Sequence, residues 1–130
     1  MDNQLSSEKL SPKQWWWSKI REFNKGVLVS GLIAFIIYCA LGASVVNLIK
    51  QYELVLWAVT TFVVLYFIYI ILANTLYAFG WLIDSALNDD NSESFRLQLF
   101  TGIYWFAVTV PVLVMCGLVY LLTKTLDFLV

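Results

Sequence analysis

LVLWAVTTFVVLYFIYIILANTLYAFGWLI, residues 54–83, decides the fold. Thirty residues pass without a charged side chain, and as one helix they would measure ~45 Å at a rise of 1.5 Å per residue. About 20 apolar residues already cross the ~30 Å hydrocarbon layer of a bilayer. Residues 26–49 and 97–123 are two further uncharged runs of 24 and 27 residues. The 8 Lys and Arg and 9 Asp and Glu all lie outside these three runs, and the whole chain is 61% hydrophobic and 13% charged. Soluble domains carry roughly 25% charged residues. The expected fold class is therefore an all-α integral membrane protein with three transmembrane helices, preceded by a short amphipathic interfacial helix.

Working outward from residues 54–83, the run is longer than hydrocarbon requires, so it tilts or projects from the membrane. Tyr77, Phe79 and Trp81 read as an aromatic belt with Gly80 permitting a bend, which places the embedded part at about 55–76. On the N-terminal side, Lys50-Gln51-Tyr52-Glu53 is a four-residue turn, so the first two spans are antiparallel neighbours. On the C-terminal side, residues 88–94 are acidic and turn-rich, and Asp90 with Glu93 is expected to cap the third helix. Pro111 falls inside that helix and should kink it, because it deletes one backbone bond and crowds the preceding turn.

Residues 1–10 read as a flexible polar tail. Ser11, Pro12 and Gln14 then form a helix start, with a cap, a proline at the first position and capping-box spacing. Trp16, Ile20, Phe23 and Val27 recur on one helical face over residues 11–25 and just beyond. Trp15, Trp16 and Trp17, flanked by Lys13 and Lys19, are expected to anchor this segment in the headgroup layer, where an indole has both an apolar edge and a wet one. The division that follows is a tail (1–10), a Trp-rich interfacial helix (11–25) and a three-helix membrane domain (26–130). The first span is expected to act as an uncleaved signal-anchor.

Lys9, Lys13, Lys19, Arg21, Lys25 and Arg96 flank one side of the spans, against Lys50 and Lys124 on the other. Cytoplasmic flanks carry the excess of Lys and Arg. The expected topology is multi-pass in the cell membrane, that of a bacterial inner membrane, with the N-terminus cytoplasmic and the C-terminus outside.

Polar groups inside spans are where chemistry would sit, since burying them in lipid costs free energy. Asn74 is the main one, with Tyr77, Trp81 and Asp84 on nearly the same face. Asp84 ends one helix and Arg96 starts the next, so an ion pair is geometrically reasonable. Asn74, Tyr77, Asp84 and Arg96 form a candidate polar site for a lipid headgroup or a partner; the plainer reading makes them packing and boundary residues. Gly102, Thr109, Cys116 and Thr123 recur every seven residues and mark a helix-contact stripe, as do Gly26, Ser30 and Ala34 on the first span. These stripes are expected mainly to serve the internal bundle. Cys39 and Cys116 lie within spans, where a packing role is expected.

There is no histidine, no spacing that would hold a metal, and no ionisable group inside a span for ion coupling. Size, N-terminal helix and three spans resemble bacterial diacylglycerol kinase in architecture. That family's glutamates around its second-span asparagine are absent here, where Ile71 and Ala78 flank Asn74, and its Lys-Asp pair is replaced by Arg96-Leu97. Phosphoryl transfer then has no machinery. The functional expectation is a non-catalytic accessory, assembly or structural subunit without cofactor. Its partners are membrane lipids and other membrane subunits or itself, with no nucleic acid. The alternatives are a holin-like or toxin-like pore former, and a lipid- or small-molecule-binding membrane protein.

Overall fold

The described residues form three helices: α1 (Pro12–Ile49), α2 (Tyr52–Leu87) and α3 (Glu93–Leu129). The structure, a computed structural model, describes residues 10–49 and 52–129, with side chains described at 10–40, 56–57, 59–121 and 124–125. It is 93% helix, with no strand among the described residues. Three segments, Pro12–Ala40, Val59–Leu87 and Glu93–Leu121, are each long and apolar enough to cross a membrane. The tail at 1–9, Lys50 and Gln51 of the first turn, and the Thr123 side chain lie outside the described residues.

The start of α1 follows its sequence. Gln14 N donates to Ser11 Oγ at 3.3 Å and Ser11 N donates to Gln14 Oε1 at 3.1 Å, a reciprocal capping box with Pro12 at the first helical position. This helix does not end at residue 25. It continues unbroken to Ile49, so the Trp-rich segment is the opening of the same rod that forms the first span rather than a separate unit. Nothing in Asn24-Lys25-Gly26 breaks it, because a single glycine costs a helix only ~1 kcal/mol. At the start of α3 the residue before the helix is Ser92, not Asp90. Asn88 sets that turn: its Oδ1 accepts from Ser92 N at 2.7 Å and its Nδ2 donates to Ser92 O at 2.9 Å, while Asn91 takes a left-handed φ of 52°.

Side-chain pairings fix the directions. Trp16 meets Asp84, Val27 meets Tyr66 and Phe35 meets Phe62, so α1 and α2 are antiparallel. Asp84 meets Arg96, Tyr77 meets Phe100 and Tyr69 meets Ala107, so α2 and α3 are antiparallel as well. The N-terminal end of α1 and the α2–α3 connection thus share one end of the bundle. Packing at that end is dense: Trp15, Trp16, Phe23, Val27, Ala73, Tyr77, Phe100, Ile103 and Ala107 form one buried cluster.

Three tyrosines of α2 cross-link the bundle by donating to backbone carbonyls: Tyr66 to Val27 at 2.6 Å, Tyr69 to Ala107, and Tyr77 to Trp16. The Tyr69 bond has a local cause. Pro111 lacks the N–H that would reach the carbonyl four residues back, and that carbonyl is Ala107. In lipid no water could fill the vacancy, and the phenol does so instead. Close approach is provided by glycine: a Cβ at Gly31 would overlap the Tyr66 ring, and one at Gly26 would lie 2.5 Å from Tyr104 Cε2. Ser30 and Ala34 are buried beside them, so the small stripe of α1 is an internal contact.

The outward faces of the three spans are largely apolar. Of the most apolar stretch of each helix, 28% is buried in α1, 17% in α2 and 6% in α3. Exposed hydroxyls on these faces are satisfied within their own helix, Thr60 on Leu56 O, Thr75 on Ile71 O and Thr109 on Trp105 O. A helix surrounded by hydrocarbon needs that arrangement.

Candidate functional site

The polar groups of the chain converge where α1 begins and α2 hands over to α3. Asp84, on the last turn of α2, is fully buried, and Arg96, on the first turn of α3, is 2% exposed. Arg96 Nε donates to Asp84 Oδ2 at 2.9 Å. Trp16 Nε1 donates to the same oxygen at 2.9 Å, and Asn88 Nδ2 donates to Oδ1 at 2.7 Å. The remaining donors of Arg96 reach Leu10 O at 3.0 Å and Asn91 Oδ1. Among the described residues no buried side-chain nitrogen or oxygen lacks a partner. A buried ion pair is tolerable only when its other lone pairs and protons are used in this way.

Around this knot the rings interlock. Trp16 stands edge-on to Tyr77 at 5.1 Å between centroids and to Trp15 at 5.5 Å, and Phe100 closes the group at 6.0 Å from Trp15. Lys19 Nζ lies 5.6 Å above the Phe100 ring and 2.9 Å from Glu22 Oε2. Trp15 and Trp16 are therefore core residues, at 6% and 2% exposure, where a headgroup anchor would stand free. The physical reason is the continuation of α1: its Trp16–Phe23–Val27 face meets α2 and α3, so the indoles find protein before they find lipid. Trp17, 73% exposed, alone of the three points outward.

The four candidate residues separate. Asp84 and Arg96 belong to the knot, and Tyr77 is beside it with its hydroxyl committed to Trp16 O. Asn74 is elsewhere: half-buried, its Nδ2 donates at 3.0 Å to Ile70 O of its own helix. It lines a slot of about 240 Å³ between α1 and α2, together with Lys13, Trp17, Ile20, Ala78 and Trp81, floored by Trp16 and Tyr77. An open polar recess of about 680 Å³, lined by Ser11, Gln14, Ser85, Asn88 and Asp89 among others, lies over the knot at the bundle end. Deeper in the bundle, Tyr38, Phe62, Tyr69, Pro111 and Met115 line an apolar cleft of about 330 Å³.

The α3 stripe is not an internal contact. Thr109 and Cys116 are exposed, and a Cβ built on Gly102 meets nothing within 4 Å. The buried stripe of α3 is Phe100, Ile103, Ala107 and Pro111 instead. Larger residues mediate that contact because α1 and α2 supply the small partners: Gly80 faces Ile103 and Gly26 faces Tyr104.

Chemically, the knot is saturated and shut from solvent, so it offers neither a free base nor an open cation position. Among the described residues no three His, Cys, Asp or Glu side chains converge to hold a metal. Trp16 and Asn88 were missed as partners of Asp84. The sequence carried one signal for them, since Asn88 stands four residues after Asp84 and so on the same helical face. The slot around Lys13 was missed because its walls come from segments about 60 residues apart. No protein family, no curated protein and no solved structure matches the chain.

Proposed function

We propose that the chain is a non-catalytic membrane subunit that works by helix–helix contact, with itself or within a larger membrane complex. The observation that carries this reading is the outward face of α3. Its small residues Gly102, Thr109 and Cys116 lie on a face that the chain's own helices leave open. In lipid, helices associate through close backbone approach at small residues rather than through a hydrophobic gradient. The polar groups at the bundle end, meanwhile, are consumed in holding the three helices together.

The same reading sets the chain in a bacterial inner membrane, with the knot end and the N-terminus cytoplasmic. Support for this comes from six of eight Lys and Arg flanking that end. The first turns of α1, with Lys13 and Trp17 turned outward, stand in the headgroup layer.

The test is the size of the assembly in mild detergent. Wild type migrates as a defined species larger than the 14.9 kDa chain, and Gly102→Leu with Thr109→Leu reduces it to the single chain at unchanged helicity. Among the described residues nothing lies within 4 Å of a Cβ at position 102, so the fold is spared. Migration of wild type as a single chain, with no stoichiometric membrane partner co-purifying in mild detergent, would overturn the reading. So would collapse of the membrane potential on induced expression, the signature of a pore former.

A further inference from the structure

We propose that the slot between α1 and α2 holds one anionic glycerophospholipid of the adjoining leaflet, its phosphate on Lys13 and the Trp17 and Trp81 indoles and its glycerol esters reaching toward Asn74, with the acyl tails continuing into the bilayer. The slot combines two chemistries. Lys13, in no ion pair among the described residues, and Trp17 and Trp81, whose indole N–H groups have no acceptor there, border it, while the surface turned into the slot is almost wholly apolar. No carboxylate lines it; Asp84, behind Trp16, has its charge met by Arg96, and Glu22, which acts on the slot residue Tyr77, is paired with Lys19. The deeper walls, Ile20 and Ala78, are apolar.

Charge complementarity thus selects an anion, and the apolar walls select one that carries a hydrocarbon chain. The geometry follows the membrane. Trp81 lies seven residues nearer the α2 terminus than Asn74, roughly 10 Å along the helix axis. A molecule in the slot therefore spans from the headgroup level into hydrocarbon. Asn74 has one amide hydrogen and its Oδ1 unused among the described residues, since its other hydrogen goes to Ile70 O. An amide held there can meet an ester carbonyl at the depth where the glycerol of a phospholipid lies. At about 240 Å³ the slot is smaller than the roughly 300–1,000 Å³ of an enclosed small-molecule site. It suits a headgroup and glycerol whose tails continue into the bilayer.

The test uses the full chain purified in mild detergent and examined by native mass spectrometry after addition of phosphatidylglycerol, phosphatidylcholine or inorganic phosphate. Wild type is expected to retain one phosphatidylglycerol in preference to phosphatidylcholine. Lys13→Gln is expected to lower that retention about fivefold, the effect of one lysine beside an anionic lipid surface. Asn74→Leu lowers retention of both lipids, and Lys25→Gln, outside the slot, changes neither. Equal loss in Lys13→Gln and Lys25→Gln would overturn the proposal, because the lipid would then be held by general charge. Equal retention of the two lipids, or displacement of phosphatidylglycerol by inorganic phosphate alone, would also overturn it. Lys13→Gln removes only an exposed charge, so its result stands even if Asn74→Leu proves misfolded.

Discussion

Tyr69 and Pro111 form a pair whose logic belongs to single atoms. The proline removes a donor, the Ala107 carbonyl is left without its helical partner, and the phenol of a neighbouring helix supplies one. Tyr69→Phe should therefore cost about 1–2 kcal/mol, near the upper end for side-chain bonds between helices in lipid. In a Pro111→Ala background, where residue 111 again donates its own N–H, the same substitution should cost only a few tenths of a kcal/mol. A double-mutant cycle read by SDS-driven unfolding checks this, and additive effects would remove the assigned role of Tyr69. Asp84 and Arg96 obey a related rule. Arg96→Leu alone strands a buried carboxylate and should cost about 3–5 kcal/mol. Asp84→Leu with Arg96→Leu should cost less than the sum of the two single changes, because neither charge is then left unpaired.

At the level of helices, the contrast between α1 and α3 shows what a pattern of small residues can and cannot tell. Gly31 admits the Tyr66 ring against the α1 backbone. Gly31→Ala should force that ring out and break its bond to Val27 O, a loss of about 1–3 kcal/mol typical of overpacking. Gly102→Ala has open space around it, so the isolated chain should gain up to ~1 kcal/mol from helix propensity. Thermal or SDS unfolding of the two variants should move in opposite directions. The sequence displayed both stripes equally, because spacing reveals that a close approach is possible and not which neighbour makes it. The three apolar spans and their order were legible, since lipid imposes length and apolarity on every turn, but not that the Trp-rich segment and the first span are one helix. The capping box at Ser11 was legible for the same local reason. The Trp15–Trp17 run was not: an indole at a helix start satisfies a headgroup and a buried carboxylate equally well. Only the partner 68 residues away, Asp84, decided that Trp16 faces inward. Asn74 stood out by its polarity in an apolar run, and Trp81 by sharing its face, but that Lys13 and Trp17 of α1 border the same slot was not legible.

The molecule as a whole is a bundle tied at one end. Arg96 reaches back to Leu10 O, Trp16 reaches Asp84, and the α2–α3 turn is stitched by Asn88, so the start of α1 and this turn move as one unit. On the proposed topology of three crossings, that unit and the far end of α3 lie on opposite sides of the membrane. The lysines and arginine of residues 9–25, with Arg96, should hold the tied end in the cytoplasm, since translocating it would carry six cations across. In a background lacking Cys39 and Cys116, a cysteine at Ser11 or Asp89 should react with an impermeant maleimide only after the membrane is opened. A cysteine at Thr125 should react on intact cells or spheroplasts. Ser11 and Asp89 line the same recess, so their labelling must change together. Labelling of one without the other would mean that the knot does not form in the membrane, and labelling of both from outside would invert the topology. Reversal of the six-to-two charge bias, by neutralising Lys13, Lys19, Arg21 and Lys25 together while adding lysines beside Lys50, should drive part of the population into the inverted arrangement. The knot should survive that inversion, because its bonds are internal to the bundle and refer to neither compartment.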